Sequence, residues 1–494
     1  MKPDLEEVKN LAASGDYRRI PVYQELLSDK FTPIEVMRTL RAVSKHCYLL
    51  ESADSHQTWG RYTFLGYDPL LEITCTNGHM KMTPVGRSKQ EVREFETDHP
   101  GKTIQQILDD YKSPVMKELP TFTGGLVGYF SYEYFQYGEP TLKKIFKEEG
   151  DFCDVDLMLF DRVIAFDHYR QKLILITGVD TTRLEESYQE AQEELSEMEK
   201  LLNSGVKAYF KPFMMESTLT PVFSKDHYCE MVEKGKYYIR EGDIFQVVLS
   251  NPMEVQADGS LFDAYRILRT TNPSPYMFYF SSESIEIVGA SPETLVKLED
   301  GVLHTFPLAG TRPRGKSAQE DAQIEKELLA DEKELAEHNM LVDLGRNDIG
   351  RISKLGSVEV EKYMEVLRFS HVMHIGTTVR GELADDKTAV DAIDAILPAG
   401  TLSGAPKIRA CQIIRELEGR RRGVYGGAIG YLDFTGNLDT CISIRLAYKK
   451  NGKVCVQSGA GIVADSVPEK EYEECRNKAQ AVVSALTASQ GGIK

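Results

Sequence analysis

The stretch DEKELAEHNMLVDLGRNDIG, residues 331–350, places acid groups and core-forming leucines on one helical face. At about 100° per residue, Glu334, Glu337, Leu341 and Leu344 fall on one side of the cylinder, so a face that buries the leucines draws the carboxylates inward. A carboxylate taken out of water must be protonated, paired with Lys or Arg, or bound to a hard cation such as Mg²⁺. The segment VADSVPEKEYEECRNKAQAVVSAL near the C-terminus raises the same question, because Glu471, Glu474 and Lys478 share a face at i, i+3, i+7. Ser466 and Glu469 read there as a capping box, with Pro468 in the first turn. Two helices, each with a Glu pair, can converge on one cation; on spacing alone, both pairs can equally lie on solvated faces.

Composition narrows the setting. The 494 residues suffice for two or three ordinary domains or one large α/β body. The net charge of −17 argues against a nucleic-acid or membrane surface, so any small anionic ligand must be held by local cations. No run approaches the roughly 18 to 20 apolar residues of a membrane span, and MKPDLEEVKN is too polar for a signal peptide. Eight Cys without a CxxC fit reduced thiols, and the expected compartment is cytoplasmic.

Along the chain, residues 1 to about 30 read as helical and polar, followed by strands at CYLLES, RYTFLGY and LLEITCT. The acidic helical run at 181–204 precedes a boundary, giving an expected N-terminal domain 1–215 and a second domain 222–490. The second half opens with a helix, a glycine turn and a buried strand in SKDHYCEMVEKGKYYIREGDIFQVVLS. GGLVGYFSYE (124–133) and GGAIGYLDF (426–434) share GGxxGY, from related hairpins or by chance. QSGAGIVADS leaves too little chain after Gly461 for a dinucleotide fold and reads as a loop that lets backbone N–H groups approach an anion. In PAGTLSGAPK, Thr401, Ser403 and Lys407 make a turn or contact an oxyanion.

In order along the chain, GDIFQVVLS, GASPETLV, PLAGTRPRG, DEKELAEHNMLVDLGRND, SHVMHIGTTVRG, PAGTLSGAPKIRA, VYGGAIGYLDF, QSGAGIVADS and PEKEYEECRNKA resemble the chorismate-utilising enzymes. Within that family the chain is most similar to the large, aminase subunits of anthranilate synthases, and CYLLES, TWGRYTFLGYDP and TGGLVGYFSYE extend the resemblance through the first half. The implied fold is α/β of the α+β type, with large antiparallel sheets packed face to face and helices outside. The implied reaction is Mg²⁺-dependent amination of chorismate at ring carbon 2 with loss of the 4-hydroxyl, then elimination of pyruvate to give anthranilate.

The resemblance also implies roles. Glu337 and Glu474 bind Mg²⁺, supported by Glu334 and Glu471. Gly310, Thr311, Thr401, Tyr425, Arg445, Gly459, Ala460, Gly461 and Lys478 surround chorismate. A dianionic substrate suits this set, with a cation on one carboxylate and an Arg fork with backbone N–H groups on the other. Glu293 serves as the acid at the leaving hydroxyl, which requires a raised pKa, and His374 assists proton removal. Read locally, Glu293 caps a turn and His374 is a satisfied core residue. Gln246 stands where water-adding relatives place a lysine base, and Ala309 where aminodeoxychorismate synthases place a nucleophilic lysine; both substitutions favour ammonia as attacking group and anthranilate as product.

The implied ammonia source is a separate glutamine amidotransferase subunit, in an expected heterotetramer of two large and two small subunits. Leu50, Glu51 and Ser52 with Pro275, Tyr276 and Met277 resemble the two walls of a tryptophan feedback pocket; locally they read as a strand end and a turn. The competing readings are an aminodeoxychorismate synthase component I and a catalytically silent tryptophan-binding relative.

Overall fold

The structure is a computed structural model that describes residues 1–53, 60–88, 91–142, 152–368 and 372–493. Among these residues, the strands form one 13-stranded and one 12-stranded sheet, in which paired strands run antiparallel. The first sheet runs Arg19–Leu27, Lys172–Asp180, Val163–Asp167, Tyr62–Tyr67, Cys47–Glu51, Tyr276–Ser281, Ile285–Ser291, Leu446–Lys450, Lys453–Ile462 and Gln246–Asp258. The second places Thr294–Glu299, Leu438–Ile442 and Ala428–Asp433 beside Gly125–Phe130 and Val155–Phe160.

Period-2 side-chain alternation explains the layering. Phe278 and Phe280 of one sheet meet Val127, Tyr129, Ile429 and Tyr431 of the other in a shared inner core. The intervening Met277 and Tyr279 face outward against helix Phe262–Thr271. Helix Leu184–Asn203 covers the same outer face with Ala191, Leu195, Met198 and Leu202, a 3.6-residue stripe. The expected face-to-face antiparallel sheets with helices outside are therefore present.

Three local expectations need correction. Residues 1 to about 30 contain helix Leu5–Ala13, but Arg19–Leu27 is a strand, because Ile20 and Val22 bury fully against the sheet. The final helix spans Pro468–Ala488 with Val467 at its N-cap and no side-chain cap; Ser466 Oγ instead accepts from the Val463 N–H at 3.1 Å. Gly459–Gly461 form no loop: they lie within strand Lys453–Ile462, paired to Gln246–Asp258.

The boundary between 215 and 222 divides the chain and not the sheets. In the first sheet, Cys47–Glu51 pairs with Tyr276–Ser281. In the second, the two GGxxGY segments are themselves neighbours, with Gly128 opposite Gly430. A Cβ on Gly128 would run into the Asp156 carbonyl oxygen, and one on Gly430 into that of Asp439, so glycine is required on both sides of this seam.

Candidate active site

Two adjacent crossovers between the sheets carry the two most telling side chains. The chain leaves the first sheet at Ser291 and enters the second at Thr294, with Glu293 between. It returns between Ile442 and Leu446, with Arg445 in that link. The crossovers are tied together: Ile442 N–H donates to the Glu293 carbonyl at 2.9 Å and Ala290 N–H to that of Arg445 at 3.1 Å. Arg445 has φ +53°, a left-handed conformation that costs on the order of 1–3 kcal/mol and marks a position held by its surroundings.

The Glu293 carboxyl accepts a hydrogen bond from Thr401 Oγ1 at 3.0 Å. Leu341, Leu344, Ile396 and Ala399 help wall the small cavity beside it. Burial pushes its pKa up to about 7, against the Thr401 hydrogen bond and the Lys478 charge. The residue keeps some exposed area, so a substrate can reach a carboxyl that is half protonated near neutrality.

His374, on strand Val372–Glu382, donates from Nδ1 to the Gly310 carbonyl at 3.2 Å; a carbonyl only accepts, so Nε2 is the basic nitrogen. Burial lowers its pKa, and Arg445 adds to that, which keeps the ring neutral. Gly310 has φ +63° at a bulge, where a Cβ would meet Leu328 Cδ1 at 3.0 Å and Glu334 Oε2 at 3.2 Å. Thr311 pairs with His374 through the backbone; its side chain lies outside the described residues.

Strand Lys453–Ile462 pairs with Leu446–Lys450 only as far as Val456, so the edge carrying Gly459, Ala460 and Gly461 is unpaired by that neighbour. Lys478 Nζ donates to the Gly459 carbonyl at 3.2 Å, and Arg445 donates to the Lys478 carbonyl. A Cβ at Gly459 would stand 2.9 Å from the Tyr425 hydroxyl, and one at Gly461 2.6 Å from Gln246 Nε2. Tyr425, Arg445, Lys478 and Gln246 thus gather around the Gly459–Gly461 stretch of this strand. Ser403 and Lys407 serve the fold: Ser403 Oγ donates to the Ala399 carbonyl, and Lys407 to Asp348 and the Ile396 carbonyl.

The acidic helix Glu332–Gly350 buries His338, Leu341, Val342 and Ile349. Glu334 pairs with Arg312 at 3.0 Å, and Glu337 is exposed. Desolvation and the charges of Glu334 and Glu474 still raise the Glu337 pKa, opposed by Lys333 and Lys478. Glu471 is raised by desolvation and by Glu474, and Lys478 pairs with Glu474 at 2.8 Å. Among the described residues no three His, Cys, Asp or Glu side chains group closely enough to hold a metal ion. The two helices nonetheless set four carboxylates around two lysines. An open groove of about 680 Å³ is lined by Arg445, Glu474 and Lys478.

A second cavity, of about 370 Å³, lies between the sheets, and Leu50, Glu51, Ser52, Pro275, Tyr276 and Met277 all line it. The distant segments meet because their strands are hydrogen-bonded neighbours, with Met277 opposite Glu51. The Glu51 carboxylate is taken up by Arg269 at 2.8 Å and by Tyr265. Tyr276 OH donates to Asp439 at 2.8 Å and lies 3.0 Å from Thr294 Oγ1, beside Glu293. Sequence reasoning missed Asp439, whose position in LDTCI gives no sign that it faces a cavity.

Residues 45–484 match the family described as chorismate binding enzyme. The chain belongs to that family. Among chorismate-binding enzymes it is 45% identical to anthranilate synthase component 1 of Acetivibrio thermocellus, over 98% of each chain, and 43% identical to that of Acinetobacter calcoaceticus, over 99% of each. Its fold matches anthranilate synthase component I from Streptococcus pneumoniae with a TM-score of 0.75 at 36% identity, covering 93% of this chain and 99% of the other. The menaquinone-specific isochorismate synthase of Escherichia coli, at 19% identity and a TM-score of 0.68 over 98% of each chain, shares the fold. None of the described helices in this chorismate-binding enzyme is long and apolar enough to cross a membrane.

Proposed function

We propose that the chain is the aminating large subunit of an anthranilate synthase, converting chorismate and ammonia to anthranilate and pyruvate in tryptophan synthesis. The observation that carries this reading is the Glu293 carboxyl, held by Thr401 and pushed up to about 7, beside Arg445 and a glycine-lined strand edge. Glu293 protonates the departing 4-hydroxyl as nitrogen attacks ring carbon 2, and neutral His374 then takes the proton from that carbon as pyruvate leaves. Arg445 and the Gly459–Gly461 backbone hold a substrate carboxylate, with Tyr425, Lys478, Thr401 and Gly310 around the ring. Gln246 and Ala309 offer no lysine base or nucleophile, so ammonia remains the attacking group.

The acidic helices fit a hard divalent cation. Desolvation, with added repulsion from neighbouring carboxylates, raises the Glu337 and Glu471 pKa values, and Mg²⁺ that keeps waters and substrate oxygens needs only one or two protein carboxylates. Glu337 and Glu474 would hold it, with Glu334 and Glu471 beside them, and when bound it would supply positive charge against a substrate carboxylate. A separate glutaminase subunit supplies ammonia in a cytoplasmic assembly of two large and two small chains; the component 1 naming of the relatives supports the existence of a partner component. Tryptophan fills the cavity lined by Ser52 and Tyr276 and acts on Glu293 through the Tyr276–Thr294 contact.

The experiment mixes the chain with chorismate, Mg²⁺ and ammonium salt and follows anthranilate fluorescence, with EDTA and Glu337→Gln as controls. Fluorescence that needs metal and Glu337 is expected. Chorismate consumed to a stable, non-fluorescent amino compound would replace this reading with an aminodeoxychorismate synthase, and no consumption would replace it with a silent relative.

A further inference from the structure

One fully buried ion pair, Glu418 with Arg422, belongs to no residue set described above. Arg422 is 2% exposed and Glu418 4%. Arg422 donates from Nε to Glu418 Oε2 at 2.9 Å and from Nη2 to Oε1 at 2.6 Å. Its other guanidinium bonds go to the carbonyls of Leu402, from Nη1 at 2.7 Å, and Val248, from Nη2 at 2.8 Å. Glu418 Oε1 also accepts from the N–H and Oγ of Ser250, at 2.8 and 2.9 Å. The Tyr132 ring covers the guanidinium at 4.6 Å, and Glu133 accepts from the backbone N–H groups of Arg422 and Gly423.

A buried ion pair is a poor device for stability, because desolvation offsets most of its attraction. Its value here lies in what it joins. Leu402 follows Thr401, the donor to Glu293. Val248 pairs with Gly461 and Ser250 with Gly459. Only a planar fork of five donors can serve a carboxylate and carbonyls from two segments at once. We propose that Arg422 is a positioning residue for the amination: through Leu402 it holds the Thr401 hydroxyl on the Glu293 carboxyl, and with Glu418 it fixes the Gly459–Gly461 edge. This rests on the reading of Glu293 as the acid.

The test compares three forms of the full chain with chorismate, Mg²⁺ and ammonium salt: Thr401→Val, the neutralised pair Glu418→Gln with Arg422→Gln, and all three changes together. Thr401→Val and the pair variant should each lower kcat by on the order of 10²-fold, the loss that misplacement by an ångström produces. Both should move the alkaline limb of kcat/KM to higher pH, because losing the Thr401 hydrogen bond lets the Glu293 pKa rise further. The triple variant should be no slower than the slower of the two, since one contact is lost either way. Losses that multiply, or a limb that moves in Thr401→Val and stays fixed in the pair variant, would overturn the proposal. Should the pair variant fail to fold, Arg422→Lys, which keeps the charge but not the fork, carries the same comparison. A Glu293→Gln enzyme with full turnover would instead strike the acid assignment, which separates the two failures.

Discussion

The cleft at Glu293 and the pocket at Tyr276 are joined by neighbouring strand positions, yet they are differently placed: one opens at the surface and the other lies between the sheets. The cleft collects Arg445, Lys478 and the carboxylates of the last helix, Glu469, Glu473 and Glu474, along an open groove. The pocket sits in the inner layer between the sheets, among Phe64, Phe278 and Tyr431. Charges meant for the proposed dianionic substrate stay near water until it displaces that water, whereas the inner pocket combines aromatic walls with Arg61, Lys297 and Asp439, which suits an amphipathic guest. Only a short polar bridge, from Tyr276 to Thr294, stands between them. The difference teaches that the proposed regulatory guest of the inner pocket reaches Glu293 through strand positions, with the Tyr276–Thr294 contact as the link.

Glu293→Gln gives the sharpest separation: kcat should fall by about 10³-fold, within the usual range for a lost general acid, while calorimetric tryptophan binding stays unchanged. Tryptophan binding lost together with turnover would make the two regions one. Glu337→Gln and Glu474→Gln should each cost on the order of 10²-fold and weaken the response in a Mg²⁺ titration, again sparing the pocket. Full turnover after EDTA treatment removes the cation from the cleft. With free ammonia held constant, kcat/KM should fall as pH rises through about 7, because Glu293 acts only while protonated. A flat profile there would mean another group supplies the proton. Ser52→Phe should weaken tryptophan inhibition at least about tenfold through overpacking, with kcat within about twofold; inhibition that persists removes tryptophan from the pocket. Tyr276→Phe, the smallest change, should lower unfolding stability by about 1–3 kcal/mol in urea, because the buried Asp439 carboxyl loses the hydroxyl that donates to it.

Much of this arrangement is legible in the chain. The helix of Glu334 and Glu337, the strand after Gly242 and the pairing of distant LLES and NPSPY segments follow from periodicity or from the resemblance. Arg19–Leu27 misleads because its polar neighbours outweigh five buried positions, and burial in a sheet is a tertiary effect. QSGAGI reads as a loop because glycine usually marks a turn, whereas here it makes room for Tyr425 and Gln246 against a strand. Arg422 hides in GRRRG, where three consecutive arginines look like a solvated surface run. No local pattern says that the third is enclosed by Tyr132 and Glu133 from elsewhere in the chain, with Glu418 four residues before it as its ion-pair partner.

The two seams, Cys47–Glu51 with Tyr276–Ser281 and Gly125–Phe130 with Ala428–Asp433, join strands that leave the ribosome far apart in time. When the first half has been synthesised, each sheet ends in an open edge whose partner does not yet exist, and such edges recruit other chains. The nascent protein must therefore carry two unfinished sheets through most of its synthesis, and the cleft between the crossovers is among the last places to close.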